Sequence, residues 1–163
     1  MRRIHIVGRK NHGKTTLLVE LVREFVRRGV AVGVIKHSKH IHELDHPGKD
    51  SHRLRRAGGG PVAVASADLI GVFIPRVAGD DFYARLEPVF AGCDLVLIEG
   101  HVDGPDPKVE VWRAAVGNEC LAKERHDVLA VISDDYPEVA VPIWPRNDVR
   151  ALADRLLEVR PAL

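Results

Sequence analysis

Cysteine is scarce in this chain of 163 residues: Cys93 and Cys120 are the only two, far apart and in no C-x-x-C pair. A disulfide framework is therefore excluded, and reduced thiols in a cytoplasmic protein are expected. Charge bias is lacking too. The formal net charge of +1 argues for no nucleic-acid partner and no anionic membrane, so any electrostatic preference must be local. No apolar run approaches the length that spans a bilayer. The first apolar strand begins at Ile4, close to Met1, and no signal peptide is expected. Internal repeats, linkers and low-complexity segments are also missing. One domain over residues 1–163 is expected, long enough to bury a core.

What is present is concentrated near the start. Ile4, Ile6 and Val7 run up to Gly8, and Gly13-Lys14-Thr15-Thr16 follows before an amphipathic run opens at Leu17. This is G-x-x-x-x-G-K-T between a strand and a helix, the context of a phosphate-binding loop. The glycines let the backbone turn its N–H groups inward toward phosphate oxygens. The helix start adds unpaired N–H groups and the positive end of its dipole. Lys14 supplies a mobile cation and the Thr15 hydroxyl a ligand for Mg²⁺. Gly8, Asn11, His12, Gly13, Lys14, Thr15 and Thr16 form the expected nucleotide-binding set.

Leu17, Leu18, Leu21, Val22, Phe25 and Val26 recur at helical spacing over 14–28, with Gly29 as the stop. Val30–Ile35 reads as a buried parallel strand, so the first 35 residues form a βαβ unit. The expected class is α/β: a mainly parallel sheet of the phosphate-loop NTPase type, helices on both faces, and an edge β-hairpin. That hairpin falls on Val62–Ala65 and Leu69–Ile74. Residues 36–49 form a long loop, followed by a short helix capped by Asp50 or Ser51. A helix interrupted by Pro88 covers 80–90. Strands follow at Leu95–Ile98, Val109–Trp112 and Val128–Ile132, the last clear one, and Asp148–Val159 closes as a helix.

A phosphate loop needs a carboxylate for its metal at the end of a neighbouring strand. Asp94 opens the strand 95–98 and Glu99 closes it, about 16 Å apart at ~3.3 Å per residue. Only Glu99 lies on the ligand edge, so Thr15 and Glu99 are the expected Mg²⁺ pair, with a solvent-facing carboxylate as the alternative for Glu99. Asp94 is left with turn or cap chemistry. Asp50, past the long loop, is a further metal candidate, and the helix cap is its other reading.

Five of the nine histidines (37, 40, 42, 46 and 52) fall within sixteen residues. Imidazoles bind Zn²⁺ or Ni²⁺, but these spacings fit no structural zinc pattern. The competing readings are a solvated charged face, or a basic lip of Lys36, His37, Lys39, Lys49, Arg53, Arg55 and Arg56 facing a second anionic ligand. No Asn-Lys-x-Asp guanine motif occurs. Ser133-Asp134-Asp135 and Asn147-Asp148 sit where base contacts or caps would fall.

Gly8…Gly13-Lys14-Thr15-Thr16-Leu17, Ile35-Lys36-His37, Pro47-Gly48-Lys49-Asp50-Ser51 and Leu54-Arg55-Arg56-Ala57-Gly58 together resemble the molybdopterin-guanine dinucleotide biosynthesis adaptor protein B family. Leu95-Val96-Leu97-Ile98-Glu99-Gly100, Lys108-Val109-Glu110-Val111 and Asn147-Asp148-Val149 extend the resemblance over nearly the whole chain. His12 departs from it, where a small residue is expected. The resemblance implies a cytoplasmic, homodimeric GTP-binding protein with weak GTPase activity. It would assist the guanylyltransferase that joins GMP to molybdopterin. Thr15, Asp50 and Glu99 would surround Mg²⁺, and Lys36, His37, Lys49 and Arg53 would face molybdopterin or the transferase. A nickel metallochaperone GTPase and an ATP-dependent small-molecule kinase or ligase remain as alternatives.

Overall fold

The computed structural model describes residues 2–40 and 43–160. The described chain runs β1 (Arg3–Val7), α1 (Lys14–Arg27), β2 (Val32–Lys36), α2 (Asp50–Arg56), β3 (Val62–Ala65) and β4 (Ile70–Phe73). It continues through α3 (Phe82–Leu86), β5 (Leu95–Glu99), β6 (Lys108–Val111), β7 (Val128–Ile132), β8 (Ile143–Trp144) and α4 (Val149–Glu158). Two compact units result. One takes in the chain up to Lys39 and from Glu87 onward, and the other is His40–Leu86.

The larger unit is a six-stranded sheet in the order β2-β5-β1-β6-β7-β8, parallel throughout. Its strands are short apolar runs, as burial on both faces demands. Ile4, Ile6, Leu97, Val109, Val111, Ala130 and Ile132 turn to one face and pack against α1 and α4. The spacing of Leu17, Leu21 and Phe25 on α1 puts all three fully inside that core. The opposite face carries shorter cover. Val7 and Val128 meet Leu121 in a single 3₁₀ turn, Leu121–Lys123, and Phe90 from the 3₁₀ turn Glu87–Phe90 fills the space beside Gly33. This second face also buries three polar side chains, His5, Lys108 and Glu110.

Each has a partner. His5 Nδ1–H donates to the Gly100 carbonyl at 3.2 Å, and Nε2 lies 3.5 Å from the Asp106 carboxylate. The Lys108 ammonium is 3.0 Å from Asp127. Glu110 accepts from the backbone N–H groups of Leu121 and Ala122 at 2.8 and 2.9 Å, which anchors the 3₁₀ turn. Burial raises the Glu110 carboxyl above its ordinary value against those two bonds and Arg9. Burial, with Glu110 beside it, also pushes the Cys120 thiol up to about 12. Both cysteines are free.

Element by element, expectation and structure differ in a few places. The second strand starts later than Val30, whose N–H closes the end of α1 on Phe25 O. The 80–90 helix divides at Pro88's turn into α3 and a 3₁₀ segment. A further two-residue strand, β8, follows β7 through Val131↔Ile143, too short to leave a periodic signal. No helix among the described residues is long and apolar enough to cross a membrane.

The smaller unit holds α2 and the hairpin β3–β4. The expected hairpin forms with Val62↔Phe73 and Ala65↔Ile70 in register, as a two-stranded sheet of its own. Helix α2 takes Lys49 as its N-cap residue, so Asp50 is the first helical position and caps nothing with its side chain. Local polar contacts hold the segment: Arg55 and His52 to Glu43, and Ser51 Oγ to Asp45. Leu54, Val62, Val64, Leu69 and Phe73 line a cleft of about 580 Å³ rimmed by His46 and Lys49.

Candidate phosphate-binding site

The loop 8–13 leaves the carboxyl end of β1, the central strand, where open parallel sheets present their ligand edge. Gly8 is required twice over: its φ is 134°, and a Cβ there would stand 2.4 Å from the Val111 carbonyl oxygen. Gly13, at φ 87°, leads into α1 with no side chain capping the first turn. The backbone N–H groups of Arg9–Gly13 have no acceptor among the described residues. A run of unpaired N–H groups next to an uncapped helix start is an arrangement that suits an anion.

Three side chains converge at its mouth. The register sets Glu99 level with Ile6 on one side and Lys36 on the other. Thr15 Oγ1 donates to Glu99 Oε1 at 2.8 Å, and the Lys36 ammonium donates to the same oxygen at 3.0 Å. Lys14 Nζ donates to the Arg9 carbonyl at 2.7 Å, folding back over the loop. Partial burial lowers the Lys14 ammonium below its ordinary value. The Glu99 carboxylate opposes that, and Lys36 adds to it. A hydroxyl and a carboxylate side by side form the hard oxygen set that suits Mg²⁺.

His12 turns its imidazole inward and is 1% exposed. Its Nδ1 accepts the Arg113 backbone N–H at 2.9 Å, while the Arg113 guanidinium donates to the Asn11 carbonyl at 2.9 Å. Burial, then the cations Lys14, Arg113 and Arg9, hold the imidazole below its ordinary pKa, so it is neutral. The departure at position 12 is thus a buried contact between the loop and the segment that follows β6.

Among the other expected site residues, Thr16 is exposed on the first turn of α1. His37 stacks on His101 at 4.1 Å, beside the Lys36–Glu99 pair. Lys39 pairs with Asp103. Asp50, Lys49 and Arg53 belong to the smaller unit, where Asp50 is almost fully exposed, 3.8 Å from Arg53. His46 and His52 also lie there, and His42 is outside the described residues. No group of three His, Cys, Asp or Glu side chains among the described residues is arranged to hold a metal ion.

Asp94 accepts from the Ala31 N–H at 2.8 Å, tying β5 to β2 at the far edge, as turn chemistry requires. Asp134 and Asp135 accept from the Asn147 and Ala114 N–H groups, and Asp148 caps α4 through Ala151. Sequence reasoning missed Arg113 and Glu110. Glu110 carried a signal, a lone carboxylate inside an apolar strand; Arg113 carried none.

The family described as "Molybdopterin guanine dinucleotide synthesis protein B" (MobB) matches residues 3–134. The "Molybdopterin-guanine dinucleotide biosynthesis adapter protein" of Escherichia coli (strain K12) is 35% identical over 153 residues, covering 90% of this chain and 86% of that protein. The Haemophilus influenzae protein of the same description is 33% identical over 152 residues, covering 91% and 84%. Among solved structures, Bacillus subtilis MobB superposes with a TM-score of 0.74 at 26% identity, covering 96% of each chain. A MobB homolog from Bacillus stearothermophilus gives 0.68 at 27% identity, covering 96% of this chain and 98% of that one.

Proposed function

The chain belongs to the MobB family, and on that premise we propose that it is a GTP-binding adapter of molybdopterin guanine dinucleotide biosynthesis. In this reading it works as a homodimer in the cytoplasm, turns GTP over slowly, and assists the guanylyltransferase that joins GMP to molybdopterin. The observation that carries the nucleotide site is the unpaired N–H run of 9–13 opening onto the Thr15–Glu99 pair.

The residues present fit a nucleotide and its metal. Gly8, Asn11, His12 and Gly13 offer backbone N–H groups, Lys14 a cation that exchanges the Arg9 carbonyl for a phosphate oxygen, and Thr16 a second hydroxyl. Thr15 and Glu99 hold Mg²⁺. When bound, the metal supplies the charge that neutralises phosphate oxygens. Lys36 and His37, next to Glu99, face the second anionic ligand.

Calorimetric titration with GTP and with ATP, each with and without Mg²⁺, tests the proposal. Mg²⁺-dependent binding of GTP in preference to ATP is expected. Lys14→Ala abolishes it, and Glu99→Gln removes the Mg²⁺-dependent gain. Wild-type binding by Lys14→Ala overturns the site, and preference for ATP turns the reading toward a kinase or ligase.

A further inference from the structure

Arg113 lies two residues past β6, beside the phosphate loop, because β6 pairs with β1 as far as Val7↔Glu110. It reaches the loop through two different groups. Its backbone N–H donates to the His12 imidazole, and its guanidinium donates to the Asn11 carbonyl. Asn11 holds φ 68°, a left-handed conformation uncommon for a residue with a Cβ, and such conformations persist only where the surroundings impose them.

In a trans peptide the C=O and the next N–H point in opposite directions. A guanidinium that holds the Asn11 carbonyl therefore turns the His12 N–H away from Arg113. That N–H is one of the five left without an acceptor. The imidazole contributes from the other side. With Nδ1 accepting from Arg113, the neutral ring carries its proton on Nε2, which is buried and has no hydrogen-bond partner among the described residues. A buried donor left unpaired is unfavourable, so the bond that Nδ1 accepts is what offsets the burial of the ring.

We infer that Arg113 is a positioning residue of the phosphate loop: with His12 it clamps the 11–12 peptide so that the His12 N–H faces a bound phosphate. This rests on the phosphate-binding reading above and deepens it. Arg113 acts on the phosphate cradle, so its effect is independent of the base.

The test compares wild type, Arg113→Ala and Arg113→Lys in two measurements. Titration with GTP and with inorganic tripolyphosphate should show Arg113→Ala weakened roughly tenfold toward both, equally at low and high salt, with Arg113→Lys largely restored. Amide order parameters from ¹⁵N relaxation of the ligand-free protein should fall at residues 9–13 in Arg113→Ala and recover in Arg113→Lys. Order parameters unchanged in Arg113→Ala overturn the clamp, as does a binding loss that vanishes at high salt, which would make Arg113 a charge and not a positioner. If wild type binds neither ligand, the nucleotide reading fails, and the relaxation data still decide the clamp.

Discussion

The six-stranded unit and the unit His40–Leu86 treat their apolar side chains in opposite ways. In the first, Leu95, Val96, Leu97 and Ile98 are fully buried on consecutive positions of one strand. In the second, Leu54, Leu69 and Ile70 are 60–71% exposed, and α2 buries no residue at all. The first unit closes its own core and can set polar groups at a strand edge with fixed geometry. The second is held by short-range polar contacts and leaves apolar side chains exposed around its cleft.

Substitution makes the contrast measurable. Leu97→Ala should lower unfolding stability by about 2–5 kcal/mol in urea or thermal denaturation, the range for a truncated core leucine. A loss below about 1 kcal/mol would mean the central strands are not the structural base of the unit.

The next effect belongs to the polar face of the same sheet. Burial first of all holds the His5 imidazole down to about 4, against the Gly100 carbonyl and Asp106. The unfolded chain takes up a proton near the ordinary pKa of 6.5 and the folded one does not, so stability falls as pH drops from 6.5 to about 4. The loss is on the order of 3 kcal/mol at most, and His5→Asn should flatten that part of the stability–pH curve. The carboxylates of Glu24 and Glu43, held down to about 2 by Arg27 and Arg55, add their losses only below about 4.5. A slope in His5→Asn equal to wild type between pH 6.5 and 4 would remove His5 as its source.

Smallest is Ile70→Ser in the hairpin. At 70% exposure it should change stability by no more than about 0.5 kcal/mol. A loss comparable to that of Leu97→Ala would show that Ile70 is covered in solution and would erase the contrast between the units.

Much of the central site was legible in the chain. Gly8, Gly13, Lys14 and Thr15 follow from spacing, and Glu99 was separated from Asp94 by strand direction alone, because a parallel sheet puts every carboxyl end on one side. The Thr15–Glu99 bond puts that carboxylate beside the loop. What stayed hidden depends on which strands are neighbours. The ties of Arg113 to Asn11 and His12 exist only because β6 lies beside β1, and no local pattern around residue 113 signals that adjacency. The buried role of His12 was hidden likewise, since its partner is about a hundred residues away along the chain. Asp50 belongs to the other unit, where its carboxylate is exposed 3.8 Å from Arg53.

The strand order has a kinetic consequence. β1 is synthesised first, yet both of its neighbours come late: Ile4 pairs with Leu97 and Ile6 with Val109. Each closure spans roughly ninety to a hundred residues, and such non-local pairings slow folding. Until β5 and β6 have been made, the phosphate loop has no strand on either side of β1. The phosphate loop gains its two flanking strands only when segments about a hundred residues downstream close onto β1.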